Sequence, residues 1–122
     1  MLKKIKILVV EDEALTARYL KIELEELGYD VLTPIAKGED AIPVAIQENP
    51  DLILMDIRLA GGLDGIEAAE RIITKKKIPI AFMTGYATEE IKERALKIYP
   101  LAYLEKPVDI DSINQILTLI KG

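Results

Sequence analysis

Apolar residues fall along this chain in two alternating arrangements. Five short runs are dense in aliphatic side chains: Ile5–Val10, Asp30–Pro34, Leu52–Met55, Ile78–Met83 and Ala102–Leu104. The first, third and fourth are nearly continuous, the pattern of strands covered on both faces. Between the runs, apolar positions recur at helical spacing. Leu20, Leu24 and Leu27 form one such stripe, ended by Gly28. Ala41, Val44 and Ala45 precede the terminator Glu48-Asn49-Pro50, and Ile66, Ala69 and Ile73 follow the turn Asp64-Gly65. Ile91, Ala95 and Leu96 mark a fourth helix; Ile113, Ile116, Leu117 and Ile120 mark a fifth.

Strands joined through helices run parallel, with right-handed crossovers. The pattern therefore predicts an α/β fold, a doubly wound five-stranded parallel sheet flanked by five helices. No linker, repeat or low-complexity segment interrupts it, so residues 1–122 are expected to form one domain. All strands of such a sheet end at one edge, and ligands bind outside those carboxyl ends.

The residues placed there are polar and reactive. Glu11 and Asp12 follow the first run, Asp56 the third, Thr84-Gly85 the fourth and Lys106-Pro107 the fifth. Each has an ordinary reading: acids of a first helical turn opposing the macrodipole, turn residues, a surface lysine. Together they put three acids, a hydroxyl and an ammonium at one sheet edge. Three ionised carboxylates so close would drive one another towards protonation. A divalent cation with Lys106 balances them, and an all-oxygen donor set with few protein ligands suits Mg²⁺. A carboxylate, Mg²⁺, a hydroxyl and an ammonium suit phosphoryl transfer, for which an ionised aspartate is already a nucleophile.

Composition narrows the choice. The chain has no cysteine and no histidine, which removes disulfides, zinc fingers and imidazole bases. With 16 basic against 21 acidic residues and a net charge of −5, direct nucleic-acid binding is not expected. The basic cluster Lys75-Lys76-Lys77 reads as a solvated turn. No apolar stretch reaches the ~18 residues that would span a membrane, so a soluble cytoplasmic protein is expected.

The segments Val9-Val10-Glu11-Asp12-Glu13, Asp51–Leu59 with Asp64–Ala68, Met83–Tyr86 and Tyr103–Pro107 resemble, in order and spacing, the receiver domain of two-component response regulators. The resemblance covers nearly the whole chain and implies a flavodoxin-like sheet of order 2-1-3-4-5. By it, Asp56 looks like the phosphoacceptor, with Glu11, Asp12, Asp56 and the Arg58 backbone carbonyl as the Mg²⁺ site, Glu11 acting through water. Thr84 and Lys106 look like the phosphoryl-binding pair, Thr84 with Tyr103 like the switch, and the Lys106–Pro107 bond is cis in relatives. The implied donor is a sensor histidine kinase or histidine phosphotransfer protein, and the implied output a downstream protein target. The chain would not be a true enzyme: at most it labels itself from small donors and slowly hydrolyses the product. With the last helix running to the end of the sequence, output is expected through protein contact or onward relay, unless the sequence is a fragment of a longer protein.

Three departures mark this sequence. Glu11 stands where Asp is commoner, bulky Arg58 and Tyr86 flank the phosphoryl position, and Ala60-Gly61-Gly62 lengthens a loop that its glycines should loosen. Rival readings are an unphosphorylated receiver-like scaffold, an aspartyl-phosphate phosphatase and a nucleotide-binding module. The phosphatase would need a second Asp where Arg58 stands, and the nucleotide module a glycine-rich loop after the first strand. A second stripe on the first helix, Leu15, Tyr19 and Ile22, lies roughly opposite the first and is expected to be exposed as a docking surface for the donor. Neighbouring loops or a second copy of the chain would be its alternative cover.

Overall fold

Strands β1 (Lys6–Val10), β2 (Asp30–Val31), β3 (Leu52–Asp56), β4 (Ile80–Thr84) and β5 (Ala102–Glu105) alternate with helices α1 (Ala14–Glu26), α2 (Gly38–Glu48), α3 (Gly65–Lys75), α4 (Glu89–Leu96) and α5 (Ile110–Lys121). This computed structural model describes residues 3–121, so both ends of the expected 1–122 domain lie outside the described residues. The strands are all parallel, in the order β2-β1-β3-β4-β5. No described helix is long and apolar enough to cross a membrane.

The nearly continuous apolar strands do what their pattern requires. Successive side chains of a strand point to opposite faces. Leu8, Val10, Ile53, Met55, Ile80 and Phe82 therefore meet Ala41, Ala45, Ile66, Ala69 and Ile72 of α2 and α3 on one side. Ile7, Val9, Leu52, Leu54, Ala81 and Met83 meet Leu20 and Leu24 of α1 and Ile113 and Leu117 of α5 on the other. Each fully buried Leu or Ile contributes about 1.5–3 kcal/mol through removal from water. The two layers hold all five strand ends in a fixed relation.

Three expectations need correction. The run Asp30–Pro34 pairs as a regular strand only over Asp30–Val31. Asp30 and Leu32 donate to the carbonyls of Ile5 and Ile7, and the next donor in steps of two would be residue 34, a proline without an N–H. Ile35 donates to Val9 instead, so the register gains one residue between Ile7↔Val31 and Val10↔Ile35. Leu27, placed with Leu20 and Leu24 on the buried stripe, is 49% exposed. It caps α1 beyond the helix proper, Gly28 turns the chain at φ +96°, and Tyr29 returns to the core. Leu96 is 47% exposed for the same kind of reason: it is the last residue of α4, and Ile98 packs on the core after it.

Candidate functional site

The three consecutive acids after β1 are not the first turn of a helix. α1 begins at Ala14, no acid stands in its first turn, and Glu13 is an N-cap whose side chain bonds no backbone N–H. Glu11 instead turns inward, 2% exposed, while Asp12 stays exposed. Lys106 Nζ donates to Glu11 Oε1 at 2.6 Å and to Asp56 Oδ2 at 2.8 Å. The other Glu11 oxygen accepts the Glu13 N–H at 3.0 Å. Both Glu11 oxygens thus have protein donors, and each keeps a second lone pair.

Asp56 closes β3 and is 4% exposed. Its Oδ1 accepts the Arg58 N–H at 3.3 Å. Behind it the chain is packed against its own carbonyl: a Cβ added at Gly65, the first residue of α3, would lie 2.0 Å from the Asp56 backbone oxygen. Gly65 is there for closeness to the strand, which the turn-like Asp64-Gly65 pair alone does not reveal.

Glu11, Asp12 and Asp56 each offer a carboxylate oxygen, all within 4.8 Å of one another. With one ammonium among three carboxylates, the cluster has about two negative charges uncompensated when all are ionised. Burial pushes Glu11 above the ordinary glutamate range; Lys106 and the Glu13 N–H oppose this, and Asp56 adds to it. Burial acts against the Lys106 charge, but hydrogen bonds and the charges of Asp56 and Glu11 outweigh it, and the amine is held above its ordinary range. Hard oxygen donors and missing positive charge fit Mg²⁺.

The cluster opens into a cleft of about 310 Å³ lined by Glu11, Asp12, Glu13, Asp56, Arg58, Gly85, Tyr86 and Lys106. Thr84, at the end of β4, is 1% exposed, and its hydroxyl accepts the Tyr86 N–H at 3.1 Å. Thr84 itself stands behind the cleft lining, next to Gly85, which does line it. Arg58 lies over the Tyr86 ring at the mouth, a contact the separate positions of the two residues did not foretell. Tyr103 is not at the cleft. Its ring packs on the α2–α3 side of the core, and its hydroxyl is enclosed with no hydrogen-bond partner. The Lys106–Pro107 peptide is cis.

Leu15, Tyr19 and Ile22 are 80%, 51% and 43% exposed. Leu15 and Tyr19 line a larger apolar groove with Leu20, Met83, Pro107 and Val108, whereas Ile22 does not. Glu13 and Lys106 line both groove and cleft, so the two are adjacent.

Two connections escaped sequence reasoning. Glu39, at the start of α2, accepts from Gly62 and Leu63, so the glycine loop is tied and not loose. Arg94 of α4 pairs with Asp64 at 2.9 Å, the residue that caps α3 in a reciprocal box with Glu67. The Asp-Gly-Ile-Glu stretch could have signalled that box; nothing in the sequence signalled its partner on α4.

Residues 7–118 match the family described as the response regulator receiver domain. The transcriptional regulatory protein PdtaR of Mycobacterium tuberculosis is 35% identical over 108 residues, 88% of this chain and 52% of that protein. The alkaline phosphatase synthesis transcriptional regulatory protein PhoP of Bacillus subtilis is 38% identical over 110 residues, 89% of this chain and 45% of that protein. The chain thus spans about half the length of these curated relatives. The crystal structure of the signal receiver domain of a modulated diguanylate cyclase from Desulfovibrio desulfuricans matches with a TM-score of 0.90 at 40% identity, over 97% of this chain and 94% of that one.

Proposed function

The chain belongs to the response regulator receiver domain family of two-component signalling, and from that premise we propose that Asp56 accepts a phosphoryl group from a histidine kinase or histidine phosphotransfer protein in the cytoplasm. Phosphorylation and Mg²⁺ binding at an acidic pocket are general features of this family. The observation that carries the reading is the bridge of Lys106 between Glu11 and Asp56 at the base of a cleft whose mouth holds Asp12.

Asp12, Asp56, the Arg58 carbonyl and, through water, Glu11 would hold Mg²⁺, which when bound offsets charge on the incoming phosphoryl oxygens. An Asp56 carboxylate oxygen attacks phosphorus; the new O–P bond forms as the P–N bond to the donor imidazole breaks, and the electron pair leaves on nitrogen. The Lys106 ammonium and the Thr84 hydroxyl then donate to oxygens of the transferred group. Thr84 gives up its contact with the Tyr86 N–H, and Tyr103 on the neighbouring strand repacks. That pair is the two-state element that phosphorylation biases. The surface near α4 and β5 carries the change to a downstream protein target. Leu15, Tyr19 and Ile22 receive the donor, and residues 1–122 act as one receiver domain.

Incubation with acetyl phosphate and Mg²⁺ should label wild type to one phosphoryl per chain, and chelation should abolish the labelling. Asp56→Asn should not be labelled, because an amide is not a nucleophile. Full labelling of that variant would place the acceptor elsewhere, and an unlabelled wild type would favour the scaffold reading.

A further inference from the structure

The loop from Asp56 to the N-cap of α3 is held from a direction that its own strand and helix do not supply. Its first part is fixed by β4 and β3: Ile57 N–H donates to Met83 O at 3.0 Å, and Arg58 N–H to Asp56 Oδ1 at 3.3 Å. Its second part is fixed by α2. Lys37 and Ala60 form an isolated parallel bridge. Glu39 Oε2 accepts the Gly62 N–H at 3.1 Å and Oε1 the Leu63 N–H at 3.4 Å. Among the described residues, Glu39 is the one side chain from outside β3 and α3 that hydrogen-bonds the Arg58–Leu63 loop.

The glycines serve this contact. Gly61 has φ +100°, in the left-handed region that side chains disfavour. A Cβ there would also come 2.7 Å from Glu39 Oε2. The loop therefore has the conformational freedom of two glycines, and a carboxylate takes that freedom back through two charge-assisted hydrogen bonds. The Gly62 N–H foremost holds the Glu39 carboxyl below the ordinary glutamate range, so it accepts as an anion.

We propose that Glu39 is a positioning residue for metal binding: by holding Gly62 and Leu63 it fixes the loop that carries the Arg58 carbonyl. The proposal rests on the reading of Asp12, Asp56 and Arg58 as the Mg²⁺ site. Glu39 touches no ligand of that site and acts through the backbone of residues 58–63. Partners bonded directly to a metal ligand cost about 10–100-fold in affinity when lost; Glu39 acts one step further out, so a loss of a few-fold is expected.

The test is Mg²⁺ titration of the unphosphorylated protein, followed by the amide resonances of residues 56–63. Glu39→Ala should weaken binding a few-fold, below the about 10–100-fold lost with a direct partner of a ligand, with thermal stability close to wild type. Glu39→Gln keeps one acceptor oxygen in place and should fall between the two. A first-turn acid acting only on the α2 dipole would not give that order, because Gln and Ala remove the same charge. Labelling by acetyl phosphate should need more Mg²⁺ in both variants but approach the wild-type rate at saturation. If Glu39→Ala does not fold, the near-isosteric Gln variant carries the test alone. Wild-type Mg²⁺ affinity in Glu39→Gln and in any folded Ala variant overturns the role of Glu39. A wild type that binds no Mg²⁺ overturns the metal site itself, a different failure.

Discussion

The guanidinium carbon of Arg58 lies 5.4 Å from the centroid of the Tyr86 ring, over its face. Each residue alone is exposed, yet both line the acidic cleft. A cation–aromatic contact at an exposed site contributes about 0.5–1 kcal/mol, enough to favour the paired arrangement.

Hydrolysis of an Asp56 acyl phosphate requires a water in line with the O–P bond, and the stacked pair narrows that approach. Arg58→Ala with Tyr86→Ala should therefore shorten the phosphoprotein lifetime several-fold, read as loss of label after donor removal. Equal decay in wild type and the double variant would show that the pair does not screen the site.

Asp56→Asn should do more than block labelling. Glu11 and Asp56 share one ammonium in a buried setting, and removing one of the two charges relieves their repulsion. Without Mg²⁺ the variant should be more stable than wild type in urea unfolding, because one of the two repelling charges is gone. Wild type should gain about 2.7 kcal/mol at about 100 times its Kd for Mg²⁺, and the variant should gain much less. An equal response to Mg²⁺ would remove Asp56 from the metal site.

Tyr103 carries a buried hydroxyl without a partner, and such a group costs roughly 1–3 kcal/mol. Tyr103→Phe should then stabilise the protein by about 1 kcal/mol near neutral pH. Burial foremost, then Glu105 and Glu89, raises the Tyr103 pKa. A raised acid keeps its full contribution below the unfolded value of about 10 and loses it as pH rises through the folded value. Wild type should therefore lose stability in alkali more steeply than the Phe variant. Beryllofluoride should shift resonances at Thr84, Tyr103 and α4; changes confined to the metal site would deny Tyr103 the switch role.

Tyr19→Ser with Ile22→Ser changes exposed positions on α1 and should leave thermal stability and acetyl phosphate labelling close to wild type. Transfer from a kinase that labels wild type should slow markedly if these side chains seat the donor. Equal loss with both donors would mean that the substitutions damage the cleft instead.

What the sequence revealed was whatever a local pattern could encode. Continuous apolar runs such as Leu52–Met55 announced strands covered on two faces, and that sufficed to bring Glu11, Asp12, Asp56 and Lys106 to one edge. Periodicity failed at helix ends, where Leu27 and Leu96 keep the spacing but no longer face the sheet. It was also silent on long reaches. Glu39 to Gly62 and Arg94 to Asp64 join different elements through one flexible side chain each, and no spacing rule carries that information.

The proline that interrupts the β1–β2 ladder bears on how copies of this molecule can associate. An exposed sheet edge invites another chain to add a strand, in proportion to the row of outward amides it offers. Here the outer strand is regular over two residues, and Pro34 then brings a shift of register. Little continuous template remains on that side. Assembly by sheet extension is disfavoured there, which leaves helical faces and loops as the surfaces through which this fold can be recognised from its β2 side.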